Sequence, residues 1–263
     1  MAKVWIRWVS LVTVMAAASC PAATVYDDTF TAGTVGPQWT PLNEGGLSLS
    51  QSGGHLNLLS TGTGAATDDA LYLSTFRLST ASDFSVSIKY VLDGPSGNGV
   101  NGDRLGLTFG VGRDLPDGTD SAAIGVGYGN VGGFVATAST AAYRVDDVQT
   151  SGPTEPFSPL TGTLAIGYVS ATDTLTLQRV GSTFSYTLPS GTVRGTGPSG
   201  WGADEVIIAF GGRGSGLSSA AGDLYLDDFM INSGVVTPEP TCVAILGMAA
   251  VAGLRRRRVS PSA

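Results

Sequence analysis

Two Asp-Asp pairs are the residues best suited by type to do chemistry. Asp27-Asp28 lies in Tyr26-Asp-Asp-Thr-Phe30 and Asp227-Asp228 in Leu224-Tyr-Leu-Asp-Asp-Phe229. Read as regular strands, Asp28 shares a face with Tyr26 and Phe30, and Asp228 shares one with Leu224, Leu226 and Met230. Asp27 and Asp227 then fall on the opposite faces. A carboxylate on an apolar face is costly unless a bulge, hydrogen-bond donors or a cation relieves it. If the two segments are neighbours, Asp27, Asp28, Asp227 and Asp228 form an oxygen-rich site for a structural Ca²⁺. Otherwise they accept hydrogen bonds from backbone amides where strands end.

Catalytic constellations are sparse. Glutamates occur in the central region only as Glu44, Glu155 and Glu205, far apart in the chain. Asp223-Leu-Tyr-Leu-Asp227 lacks the alternate spacing that would set two carboxylates side by side. The single histidine, His55 in Gly-Gly-His-Leu-Asn-Leu, has no second histidine or nearby cysteine. It reads as an ordinary residue at the start of a strand rather than a zinc ligand or general base. No Gly-x-Ser-x-Gly elbow with a paired base occurs. Gly-Val-Gly-Tyr-Gly-Asn (125–130) has neither a lysine nor a following helix pattern, so a phosphate loop is excluded. The sequence therefore predicts a protein that is not an enzyme.

Binding is easier to support. Trp201, in Gly-Pro-Ser-Gly-Trp-Gly (197–202), is a loop tryptophan suited to stacking on a sugar ring. Asn98, Asn101 and Asp103 lie in a Gly-rich loop suited to hydroxyl groups. The competing reading is that Trp201 plugs the end of a sheet; Trp39 reads as core.

The elements that position these residues lie between two unusual ends. The chain has 263 residues, 14 Lys+Arg against 21 Asp+Glu, and a net charge of -7. Lys3, Arg7 and Arg255 to Arg258 all lie near the ends, and only Glu239 among the acids does. Residues 24–237 thus keep 8 bases and 20 acids, a charge near -12. That balance excludes a nucleic-acid partner, because no basic stripe faces phosphates. Both cysteines, Cys20 and Cys242, fall outside this region. Residues 1–23 have a basic start, an apolar run from Trp8 to Ala18 and a small-residue exit near Ala23, the pattern of a signal peptide. The apolar run is too short for an ordinary membrane span.

At the other end, residues 235–263 contain Pro238-Glu239-Pro240, an apolar helix-prone run from Cys242 to Leu254, and then Arg255, Arg256, Arg257 and Arg258. The prolines hold this segment extended, suited to a protease. The arginines form a cationic stop of the kind left in the cytoplasm. This tail resembles the PEP-CTERM sorting signal, although Thr237 stands where that family usually has valine. The resemblance implies an exosortase-type membrane protease or transpeptidase as partner, acting after signal peptidase and near the Pro-Glu-Pro. It also implies tethering at the inner membrane through the C-terminal helix, then release to the cell surface or matrix of a bacterium with an outer membrane, in the company of exopolysaccharide.

Residues 24–234 read as strands throughout. Phe84, Val86, Ile88, Tyr90 and Leu92 alternate with polar or small neighbours, as do Leu105 to Val111, Leu164 to Tyr168, Leu175 to Leu177 and Phe184 to Leu188. The pattern predicts an all-β, antiparallel two-sheet sandwich of roughly 12–14 strands. The segments Asp27-Asp-Thr-Phe30, Asp83-Phe-Ser-Val-Ser-Ile, Arg104-Leu-Gly-Leu-Thr-Phe and Asp223-Leu-Tyr-Leu-Asp-Asp-Phe resemble the concanavalin A-like jelly-roll superfamily of lectins, laminin-G-like modules and glucanases. That resemblance implies neighbouring first and last strands. The expected function is an exported, surface-associated sandwich that contacts polysaccharide. A secreted glycan hydrolase or lyase and a purely structural acidic matrix protein are the alternatives.

Overall fold

The computed structural model describes residues 26–63, 68–94, 104–113, 121–130, 134–143, 149–156, 160–181, 185–189, 201 and 204–238. The signal peptide, Glu239, Pro240, the arginine cluster 255–258, Asn98, Asn101 and Asp103 lie outside these residues. No helix occurs among the described residues.

Alternating apolar side chains with β-branched and aromatic neighbours generate two sheets. In the first sheet the strands run in the order β14 (Ser185–Pro189), β13 (Thr174–Arg179), β12 (Thr161–Val169), β7 (Phe84–Leu92), β17 (Leu224–Ser233), β4 (His55–Thr61) and β16 (Ser218–Ser219). β1 (Tyr26–Asp28) pairs with β17, and β3 (Leu47–Ser52) with β4. The second sheet runs β11 (Gln149–Pro156), β10 (Phe134–Tyr143), β9 (Ser121–Asn130), β8 (Arg104–Gly112), β15 (Glu205–Ser215), β5 (Asp69–Ser74) and β2 (Trp39–Asn43). β6 (Phe76–Ser79) pairs with β15, and β18 (Val236–Pro238) with β6. Every pairing is antiparallel, which gives the expected two-sheet sandwich. The described strands outnumber the expected 12–14 because several are pieces of two to four residues, too short to show an alternating pattern.

The inward positions supply one core. β7 contributes Phe84, Val86, Ile88, Tyr90 and Leu92, and β8 contributes Leu105, Leu107, Phe109 and Val111, all buried. Trp39 bridges the sheets: its ring centroid lies 4.6 Å from Phe210 of β15 and 5.2 Å from Phe229 of β17. β1 and β17 are direct partners, with Asp28 opposite Phe229, so the first and last long segments do meet. The sheet continues beyond residue 234, because β18 pairs with β6 through to Pro238.

Candidate functional site

Strand parity changes inside β17, and this moves one of the expected carboxylates. Leu224 and Leu226 point inward, Asp227 and Asp228 both sit at partly exposed positions, and Phe229 and Ile231 point inward again. The register with β7 shifts between Asp227 and Met230, and Asp228 has φ of 44°. This is a β-bulge, and its extra residue keeps Asp228 off the core face that regular alternation assigns to it. Asp228 instead accepts a hydrogen bond from Nζ of Lys89 at 2.5 Å, which raises the lysine pKa.

The other carboxylates go elsewhere. Asp28 Oδ1 accepts the backbone N–H of Phe30 at 2.9 Å. Its Oδ2 accepts Nε2 of Gln38 at 2.9 Å and the indole N–H of Trp39 at 2.6 Å. Asp227 Oδ1 accepts the backbone N–H of Asp228 at 2.8 Å, and its Oδ2 lies 3.3 Å from His55 Nδ1. Asp27 is exposed. Thus Asp28 and Asp227 accept backbone amides, the second of the two expected arrangements. Among the described residues no three His, Cys, Asp or Glu side chains converge as metal ligands.

His55 belongs to a polar row across the outer face of the first sheet. Ser52 is its cross-strand partner in β3, and Asp227 is opposite Lys89 of β7. The imidazole stacks on Tyr225 with centroids 4.2 Å apart. Ser52 Oγ accepts from Asn57 Nδ2 at 3.1 Å. Asn57, which the sequence did not single out, is the hub there. Its Nδ2, with two hydrogens to donate, lies within 3.3 Å of the carbonyls of Ser50, Ser52 and His55, and its Oδ1 accepts the N–H of Gly222 at 2.8 Å, although its side chain faces outward.

Trp201 requires a correction. It is only 3% exposed, and its ring centroid lies 6.0 Å from that of Tyr168, so it belongs to the core and presents no free face to a sugar.

The outer face of the second sheet carries a feature that emerges only from register. The pairs Arg104–Gly129, Gly106–Gly127, Thr108–Gly125, Gly110–Ala123 and Gly112–Ser121 lie side by side on β8 and β9. Their alternate partners, Leu105 to Val111 and Ala122 to Val126, fill the core, so these five rows face outward. At about 6.8 Å per two residues the rows span about 27 Å. A Cβ on Gly127 would lie 2.5 Å from Gly106 Cα, and one on Gly106 would lie 2.8 Å from Val126 O. The strands therefore approach too closely here for side chains, and the floor is main chain.

Arg213 of β15, opposite Gly106, stands beside this floor, and Ile207, opposite Gly112, stands beside its far end. Gly106, Thr108, Gly125 and Gly127 are partly exposed, whereas Gly110, Gly112, Ala123 and Ser121 are buried. The Oγ of Ser121 is buried without a hydrogen-bond partner. Arg213 lies 3.6 Å from Asp69. These rows form a side-chain-poor strip, or furrow, that is partly exposed between Gly106 and Gly125 and buried near Ser121.

No protein-family model matches this chain. No curated protein matches it either. Among solved structures, its fold is similar to the carbohydrate recognition domain of Emp47p, with a TM-score of 0.52 and 12% identity over 80% of this chain and 96% of that one. It is also similar to the CBM2 module of the evolved Dit of Lactobacillus casei BL23 phage J-1, with a TM-score of 0.50 and 12% identity over 81% of this chain and 97% of that one. At such identity the likeness is one of fold, an antiparallel two-sheet β-sandwich.

Proposed function

We propose that this is an exported, surface-associated carbohydrate-binding protein that lays one polysaccharide chain along the β8–β9 furrow and is sorted through its C-terminal tail. The observation that carries the binding reading is the main-chain floor from Gly106–Gly127 to Thr108–Gly125, partly exposed and flanked by Arg213. One protein of similar fold, Emp47p, is named for a carbohydrate recognition domain, which supports the same ligand class. The sheet amides are already spent on strand pairing. Ring faces therefore pack on the floor, while the Thr108 hydroxyl and the Arg104 and Arg213 guanidinium groups supply polar contacts at its open end.

The non-enzymatic reading rests on the acids. Glu44 accepts the N–H of Asp69 and Glu205 accepts the hydroxyl of Thr237, so both are engaged in holding segments together. No carboxylate lies in the ten outward positions of the furrow rows. The export and sorting readings rest on residues 1–23 and on Pro238, Glu239, Pro240 and Arg255 to Arg258. The binding test is co-sedimentation of the protein with insoluble and soluble polysaccharides, together with a glycan array. Loss of retention in Arg104→Ala and Gly125→Gln, with retention in a variant altered on the opposite sheet, supports the furrow. Equal retention in all three discards it.

A further inference from the structure

The Pro-Glu-Pro segment begins inside the folded domain. Val236, Thr237 and Pro238 form β18 and pair with Leu78, Arg77 and Phe76 of β6. The pairing extends one residue upstream, where Ser79 N–H donates to Val235 O at 3.0 Å. The Thr237 hydroxyl donates to Glu205 Oε1 at 2.7 Å and also approaches Arg77 O at 3.4 Å. Val236 packs against the core. Phe76, the cross-strand partner of Pro238, lies 5.7 Å from Tyr26, centroid to centroid, so β1 and the end of β18 both adjoin Phe76.

A protease takes its substrate as an extended strand whose backbone groups pair with the enzyme. β18 laid against β6 offers a protease only its other edge, and a protease cleft that encloses its substrate from both sides cannot close around residues 235–238 until β18 leaves β6. β18 is short and terminal, and such elements open locally at a free-energy cost well below that of global unfolding. We propose that β18 is a latch on tail processing. This rests on the reading that the tail is cut near Pro-Glu-Pro. While β18 is paired with β6 the cut is blocked, and processing proceeds at a rate set by the local opening of this one strand. The latch makes removal of the tail depend on the domain edge rather than on the tail alone.

The test uses the full chain in a host that carries an exosortase. Arg77 and Thr237 are cross-strand partners, and residues 24–237 contain no cysteine. Arg77→Cys with Thr237→Cys, in a Cys242→Ser background, therefore allows a disulfide that pins β18. The oxidised pair is expected to be processed at least tenfold more slowly than either single-cysteine variant, with reductant restoring the rate. Thr237→Ala, which loses the bond to Glu205, is expected to be processed a few times faster at an unchanged melting temperature. Equal processing of pinned and unpinned chains overturns the latch. A reporter carrying residues 235–263 on an unstructured carrier separates the two ideas. If the reporter is left uncut, the sorting reading fails and the latch with it; if it is cut while the pinned chain is cut equally fast, only the latch fails.

Discussion

The indole N–H of Trp39 donates to Oδ2 of Asp28 at 2.6 Å. This bond ties β1, at the entry to the domain, to the tryptophan that joins the two sheets. The other oxygen of the same carboxylate caps Phe30 N–H, where the backbone turns through φ of 53°. Asp28→Ala leaves a buried indole donor without its acceptor and releases the turn. The expected cost is about 2–4 kcal/mol, since bonds to charged groups contribute about 1.5–3 kcal/mol and an orphaned donor adds to that. Asp28→Asn is expected to cost nearly as much, because its amide must turn a donor towards either Phe30 or the Trp39 and Gln38 pair. Urea unfolding measures both, and a loss below about 0.5 kcal/mol would contradict the structural role.

The same geometry sets the expectation for calcium. Each Asp28 oxygen is already occupied by protein donors, Asp228 faces Lys89, and Asp227 faces His55. Ca²⁺ in millimolar excess, and chelator, are expected to leave the melting temperature within 1 °C of the untreated protein. A shift of several degrees that disappears in Asp228→Ala would restore a cation site on these residues.

The furrow gives opposite expectations for neighbouring glycines. A Cβ on Gly125 meets only Leu107 O at 3.6 Å, an ordinary contact, whereas one on Gly127 meets Gly106 Cα at 2.5 Å. Gly125→Gln should therefore fold normally and lose polysaccharide retention at least tenfold. Gly127→Ala should cost about 1–3 kcal/mol by forcing the strands apart. Gly167 on the first sheet has nothing within 4 Å of its Cβ position, so Gly167→Gln is the control that retains binding. Equal binding by the Gly125 and Gly167 variants would remove the furrow as the site.

Alkaline pH should weaken the fold through its tyrosines. Burial, helped by Asp28, pushes Tyr26 up from 10.0 to about 12, and burial also raises Tyr168 and Tyr72. Folding thus favours the neutral phenols. Between about pH 10 and pH 12 the folded state binds more protons than the unfolded one, so stability falls as pH rises across that window and is fully present below it. Melting temperatures from pH 8 to pH 11.5 should be flat to about pH 10 and then decline. Tyr26→Phe should make the decline shallower, and an unchanged slope would assign it to other groups.

Much of this architecture could be read from side-chain alternation. β7, β8, β12 and β13 lie where apolar residues recur at period two, because a strand buried on one face leaves that trace in the chain. Regular alternation puts Asp228 on the core face unless a bulge intervenes, and nothing in Leu-Asp-Asp-Phe marks the bulge that does. Trp201 was ambiguous for a related reason: its glycine and proline neighbours suggest a loop but not whether the ring turns inward against Tyr168. The furrow escaped the sequence altogether, because isolated glycines in β8 and β9 acquire meaning only when register sets Gly106 beside Gly127. Asn57 escaped for the same reason, its partners being set by a hairpin and by a turn 165 residues away.

Asn57 shows how such a residue can be tested. The Gly53-Gly54 turn, with φ of 66° and 82°, folds β3 back on β4 and aims the carbonyls of Ser50, Ser52 and His55 at one side-chain amide. With Gly222 N–H donating to its Oδ1, Asn57 fastens the β3–β4 hairpin to the turn that precedes β17. At 2% exposed, the side chain has almost no access to water that would replace these partners. Asn57→Ala is expected to cost about 2–3 kcal/mol by orphaning Gly222 N–H and several carbonyls. Asn57→Asp should be worse at neutral pH, because a carboxylate then faces three carbonyl oxygens with no donor. It should recover partly below about pH 4, where a protonated acid supplies one donor. Denaturation curves at pH 7 and pH 4 check the order, and an aspartate variant as stable as the alanine variant at pH 7 would show that the amide does not bind those carbonyls.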